Sequence, residues 1–218
     1  MIAIAGGKGG CGKSTTTLGV ARALADAGRR VLAVDADRDM PNLYALAGVP
    51  TDPSLADLTA ASDPGDVSAA AHPDPTTAGV GILPASPGSK VDLPTALGAV
   101  RGSDRRVLLD CPAGAGRDAA APLRAADATL LVSLPTPESL QDAAKTAAMA
   151  RALDAPPACA AVVRADDVPA GVDRLLDVDA TVAVPDGGAS PLRSSEAAAA
   201  FRRLARTVTR GPRSDNVK

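Results

Sequence analysis

Aromatic side chains are almost missing from this chain: 218 residues contain one Tyr, one Phe and no Trp. With only Tyr44 and Phe201 available, there is no platform on which single-stranded bases could stack. The interior must instead be filled by Ala, Val, Leu and Ile. Cysteine is scarce too. Cys11, Cys111 and Cys159 lie far apart and form no C-x-x-C pair, which argues against a zinc site or a metal-cluster scaffold and reads as three reduced structural thiols. No run of about 18 apolar residues occurs, and the N-terminus opens directly on Ile2-Ala3-Ile4-Ala5 with no basic segment ahead of an apolar one, so a cytoplasmic protein is expected. Nor is one sign of charge in large excess: the formal net charge is −2, which gives no general attraction to nucleic acid or anionic lipid and requires a local patch for either. The single histidine, His72, falls in a polar stretch with no role expected of it.

What is present is a repeating alternation. Short apolar runs at Ile2 to Ala5, Arg30 to Val34, Val80 to Leu83, Arg106 to Leu109, Ala128 to Ser133, Cys159 to Val163 and Thr181 to Val184 read as buried parallel strands. Between them lie helical patterns, notably Ser14 to Ala27, Pro137 to Leu153 and Ser195 to Val208, each ending near Gly or Pro. Strands alternating with helices predict an α/β fold, a doubly wound, mostly parallel sheet with helices on both faces. The Pro-, Asp- and Ala-rich segment from Thr51 to Gly79 reads as short helices and loops on the rim. One domain over residues 1–210 is expected, followed by a polar tail at 211–218.

The strongest chemical signal is Gly7-Lys8-Gly9-Gly10-Cys11-Gly12-Lys13-Ser14, a G-x-x-x-x-G-K-S phosphate loop placed directly after a strand and before a helix. Its glycines let the backbone curl so that N–H groups point at phosphate oxygens, and the following helix adds its positive end. Lys13 is assigned to the β and γ phosphates, the Ser14 hydroxyl to Mg²⁺, and Thr15 to the α phosphate. ATP or ADP with Mg²⁺ is the expected ligand. Two further acids stand at strand ends. Asp35 and Asp37 close an apolar run and alternate onto one side, and Asp110 closes another ahead of a Gly-containing turn.

The string Lys8-Gly9-Gly10-Cys11-Gly12-Lys13-Ser14-Thr15 resembles the deviant Walker A motif of the MinD/ParA family of P-loop ATPases, and within that family the chain is closest to the MinD-like proteins. The resemblance runs nearly end to end. Asp35-Ala36-Asp37 resembles the family's switch I, Asp110-Cys111-Pro112-Ala113-Gly114 its switch II, Ile82-Leu83-Pro84-Ala85-Ser86 a strand end, and Ala183-Val184-Pro185-Asp186 the element flanking adenine. It implies an ATPase that dimerises around ATP, with Lys8 reaching the partner copy's phosphates. Asp37 would position the attacking water and contribute to the metal site, supported by Asp35, while Asp110 would hold Mg²⁺ through water. Gly114 would approach the γ phosphate, and Pro185 and Asp186, with Arg164, would contact the nucleotide. Where many relatives have Asn-Arg, this chain has Val163-Arg164.

The resemblance also implies an activator or cargo protein. A ParA-like DNA-partitioning ATPase is the alternative, drawing on Arg202, Arg203, Arg206, Arg210 and Arg213 for non-specific DNA contacts. A small-molecule kinase or ligase is disfavoured by Lys8 and the D-x-P-A-G string. The face formed by Phe201, Leu204, Ala205 and Val208 is expected to pack inside the fold, leaving no autonomous membrane anchor.

Overall fold

A computed structural model of the chain describes residues 1–60, 67–88 and 91–210. Among the described residues eight strands form one sheet: β1 (Ile2–Ala5), β2 (Val31–Asp35), β3 (His72–Pro73), β4 (Val80–Leu83), β5 (Arg106–Asp110), β6 (Ala128–Ser133), β7 (Pro157–Val163) and β8 (Thr181–Val184). Their order is β3-β4-β2-β5-β1-β6-β7-β8, parallel throughout except for β3, which runs antiparallel to β4 at the edge. Nine α-helices pack around the sheet among the described residues: α1 (Lys13–Asp26), α2 (Leu43–Ala47), α3 (Asp57–Ala60), α4 (Val67–Ala70), α5 (Leu93–Arg101), α6 (Arg117–Ala125), α7 (Pro137–Ala152), α8 (Val172–Leu176) and α9 (Ser195–Arg210).

The central strands are buried on both faces, as a parallel sheet requires. Along β1, Ile2 and Ile4 join the apolar cluster under α1 and α9, whereas Ala3 and Ala5 join the one under α5 and α6. The same alternation in β6 sends Leu130 toward α1 and α9 and Leu131 toward α7 and α8. In α9, Ala197, Phe201, Leu204, Ala205 and Val208 are buried while Arg202, Arg203 and Arg206 are exposed, so its apolar face is consumed inside the fold, as the sequence predicts. The start of α7 is set locally: Thr136 caps it by accepting a hydrogen bond from the Ser139 N–H at 3.3 Å, and Pro137 occupies the first helical turn.

The doubly wound, mostly parallel sheet is as expected, with two differences. The edge strand β3 is two residues long and contains Pro73, which carries no periodicity to read and is tolerated because an edge strand leaves one side unpaired. His72, read as part of a polar loop, sits in this strand with its Nε2 2.8 Å from the Pro53 carbonyl oxygen. The polar tail at 211–218 lies outside the described residues, as does the side chain of Arg210.

Candidate nucleotide site

The carboxyl ends of β1, β2 and β5 meet where the sheet changes direction, which is where a doubly wound sheet presents its ligand crevice. The register puts Asp35 beside Asp110 and Ile4 beside Asp110, so both strand-end acids arrive next to the loop that leaves β1.

That loop is pinned at its base and open at its tip. A Cβ on Gly6 would lie 2.4 Å from the Val132 carbonyl oxygen, and one on Gly7 would lie 2.3 Å from Asp142 Cβ. Glycine is thus required for the loop to pass between β6 and α7. At Gly9 and Gly10 an added Cβ would meet nothing within 4 Å. Here the glycines serve conformation, with Gly10 at φ 71° and Gly12, which leads into α1, at φ 88°. Cys11 is buried inside the loop, its Sγ 3.6 Å from the Val132 carbonyl oxygen, and burial raises its thiol pKa. It is an inert packing residue.

The loop walls a cleft of about 720 Å³, within the range of about 300–1,000 Å³ for small-molecule sites. Gly9, Gly10, Gly12, Lys13, Ser14 and Thr15 line one side, and Asp37 and Arg164 also face it. Lys13 is buried, and its Nζ donates to the Lys8 carbonyl at 3.3 Å. An ammonium carries three donors, so this single long bond leaves a buried cation in need of an anion. A phosphate chain in the cleft would supply it.

Lys8 lies differently. It is exposed at the loop tip and absent from the lining of the cleft. Its ammonium stands on the α7 side, where it adds to a larger effect of Lys145 in lowering the pKa of Asp142.

The acids divide their work. The Asp35 carboxylate accepts backbone N–H groups from Asp37 at 3.1 Å and from Asn42 and Leu43 at 3.0 Å each. It therefore shapes the loop between β2 and α2, and sequence reading alone gave no sign of that task. Asp37 is half-buried, lines the cleft, and accepts the Met40 N–H at 3.0 Å. Asp110 is buried behind the loop, where Thr17 Oγ1 donates to it at 3.3 Å. Burial raises the pKa of both Asp110 and Asp35, and the charge of Asp35 raises Asp110 further, while hydrogen bonds from Ser14 and Thr17 oppose the rise.

Gly114, at φ 87°, donates its N–H to the Gly6 carbonyl at 3.1 Å, and its neighbour Ala113 reaches the cleft. Arg164 holds a left-handed backbone at φ 55°, which is uncommon outside glycine and aims an exposed arginine at the rim. Pro185 and Asp186 follow β8 and do not line the cleft. Leu46 and Pro87, which the sequence does not announce, complete it together with Met40, Pro41 and Asn42 from the loop after Asp37 and Cys111 from the Asp110-to-Gly114 string.

Residues 2–190 match the family described as the CobQ/CobB/MinD/ParA nucleotide binding domain. The chain belongs to that family. An uncharacterized ATP-binding protein of Methanocaldococcus jannaschii is 39% identical over 153 residues, covering 66% of this chain and 57% of that protein. The chain thus matches just over half the length of that relative. The solved structure of the cell division ATPase MinD from Pyrococcus furiosus superposes with a TM-score of 0.84 at 29% identity, covering 96% of this chain and 98% of that one. The septum site-determining protein MinD of Pyrococcus horikoshii, complexed with Mg-ADP, gives 0.83 at 28% identity over 95% and 94% of the two chains. Family membership and the parallel-sheet fold stand on these matches together. No helix among the described residues is long and apolar enough to cross a membrane.

Proposed function

We propose that the chain is an Mg-ATP-binding and hydrolysing switch in which ATP closes two copies into a dimer, hydrolysis opens it, and a partner or cargo protein reads the difference. The observation that carries this reading is the contrast between the two loop lysines. Lys13 is buried in its own cleft with donors to spare, whereas Lys8 is exposed and stands outside it. A cation so placed suits the phosphates of a second copy.

The loop backbone from Gly9 to Thr15 cradles the phosphates, and Lys13 neutralises the β and γ oxygens. Among the described residues no three His, Cys, Asp or Glu side chains cluster as a metal cage. Ser14 would hold Mg²⁺ together with phosphate oxygens, with Asp110 acting through water, which is how this cation is commonly held. Bound Mg²⁺ supplies charge neutralisation on the transferred phosphoryl group. Asp37 orients the attacking water from the cleft wall. The relatedness to MinD bound to Mg-ADP supports the choice of ligand.

Light scattering after size exclusion tests the switch: monomer in ADP and dimer in a non-hydrolysable ATP analogue is the expected result. A single mass in both nucleotides overturns it.

A further inference from the structure

The phosphate loop is pinned between β6 and α7, whereas the loop between β2 and α2, which carries Asp37, is tied mostly to itself. Its first residue is anchored, since the Ala36 N–H donates to the Asp110 carbonyl at 2.9 Å. Beyond that point Asp35 accepts the N–H groups of Asp37, Asn42 and Leu43, and Asp37 accepts that of Met40. These bonds curl the loop but do not fix it to its surroundings. Among the described residues, the side-chain bonds that tie residues 36–42 to a distant part of the chain come from Arg38. Its guanidinium donates through Nη1 to the Val91 carbonyl at 3.2 Å and through Nη2 to Asp118 Oδ1 at 3.3 Å.

Both acceptors sit on firmly packed elements. Val91 is buried in the same apolar cluster as Val34 and Ala36, the residues on either side of Asp35. Asp118 lies in the first turn of α6, and the next residue, Ala119, is buried. That helix follows the segment in which the Gly114 N–H bonds to the Gly6 carbonyl at 3.1 Å. The neighbours of Arg38 face the other way: Asp37 and Asp39 line the nucleotide cleft, and Arg38 between them does not. Its two bonds therefore hold the loop from behind.

We propose that Arg38 is a positioning residue for hydrolysis, fastening the loop to Val91 and Asp118 so that the Asp37 carboxylate stays aimed at the attacking water. The proposal rests on the reading of Asp37 as the water-orienting acid. Magnitudes separate this role from a purely structural one. The side chains of Arg38 and Asp118 are 37% and 62% exposed, and an ion pair that open to solvent adds little to stability. A displacement of about 1 Å in a group that orients a reactant, in contrast, costs about a hundredfold in rate. Loss of Arg38 is thus felt in turnover, and the phosphate cradle from Gly9 to Thr15, which Arg38 does not touch, keeps its affinity.

The test measures ATP turnover, ATP affinity by calorimetry and dimerisation in a non-hydrolysable ATP analogue, on the full chain and on Arg38→Ala, Arg38→Lys, Asp37→Ala and the double variant Asp37→Ala/Arg38→Ala. Arg38→Ala should lower kcat by about fivefold or more, with ATP affinity within about twofold of the parent and dimerisation retained. Arg38→Lys should fall between the two, because one ammonium lacks the planar fork that serves both acceptors. In the double variant the loss of Arg38 should add nothing to the loss of Asp37, since a residue that acts only through that carboxylate is silent once it is gone. A smaller fall in kcat for Arg38→Ala overturns the proposal, as does an additive loss in the double variant. Weakened ATP binding or dimerisation overturns it too, by placing Arg38 on the nucleotide or at the interface. If Asp37→Ala turns over at the parent's rate, the reading of Asp37 fails and takes this inference with it. If Asp37→Ala is slow and Arg38→Ala is not, that reading stands and this inference alone falls.

Discussion

At the scale of single residues, the site is governed by buried charges that lack full compensation. Lys13 has one backbone acceptor at 3.3 Å, so Lys13→Ala removes the cation nearest the phosphates while leaving the loop's backbone in place. Charge-assisted hydrogen bonds contribute about 1.5–3 kcal/mol each, so losing two should weaken ATP binding by about a hundredfold or more. Isothermal calorimetry measures this directly, and normal affinity in the variant would place the phosphates elsewhere.

The paired carboxyls give a second expectation, for the protein without nucleotide and in EDTA. Burial raises Asp35 to about 6 and Asp110 to about 7 from an ordinary value of 3.8. Between about pH 4 and 7 the folded protein therefore holds more protons than the unfolded chain, so the free energy of unfolding falls as pH rises through that window and levels off above it. The melting temperature should be higher at pH 5 than at pH 8, and Asp110→Asn should flatten the slope. An equal slope in the variant would remove Asp110 as its source.

At the scale of elements, α1 links the phosphate loop to the core through its contact with α9. Gly19 sits at that contact, where an added Cβ would lie 2.4 Å from the Phe201 ring. Gly19→Ala should gain up to about 1 kcal/mol in helix propensity but incur about 1–3 kcal/mol of overpacking. Net destabilisation is expected, seen as a lower urea midpoint with an unchanged slope. A raised midpoint would mean that Phe201 moves aside freely. Seven of the eight strands were legible in sequence to within two residues because buried parallel strands are continuous apolar runs. β3 was not, since two residues ending in Pro73 carry neither run nor alternation.

The phosphate loop was equally legible because its chemistry is local and consecutive. Part of the opposite wall was not, because Leu46 and Pro87 reach the cleft only once β2 and β4 are side by side. Arg38, which bonds to the Val91 carbonyl at 3.2 Å and to Asp118 at 3.3 Å, ties the loop after β2 to the start of α6, and nothing in its sequence context announces that link.

At the scale of the whole molecule, the decisive question is whether Lys8 acts on a second copy. If it does, Lys8→Ala should keep appreciable nucleotide affinity in the monomer, where Gly10 to Thr15 still form the cradle, yet lose ATP-dependent dimerisation and hydrolysis. Asp37→Ala should bind ATP and accumulate as dimer, because it removes a water-orienting carboxylate and no phosphate contact. Mixing the two variants discriminates further. In a mixed dimer, the Lys8→Ala subunit retains its own Asp37 and receives the intact Lys8 of its partner, so one complete site forms while the other lacks both groups. A cation supplied in trans is worth about 10³-fold or more in rate for an arginine finger, so one restored site should rise well above either variant alone. Light scattering must first show that the mixed dimer forms. If it forms and hydrolysis is no faster than in the separate variants, Lys8 does not act across the interface, and the exposed position of its side chain reflects solvation at a loop tip.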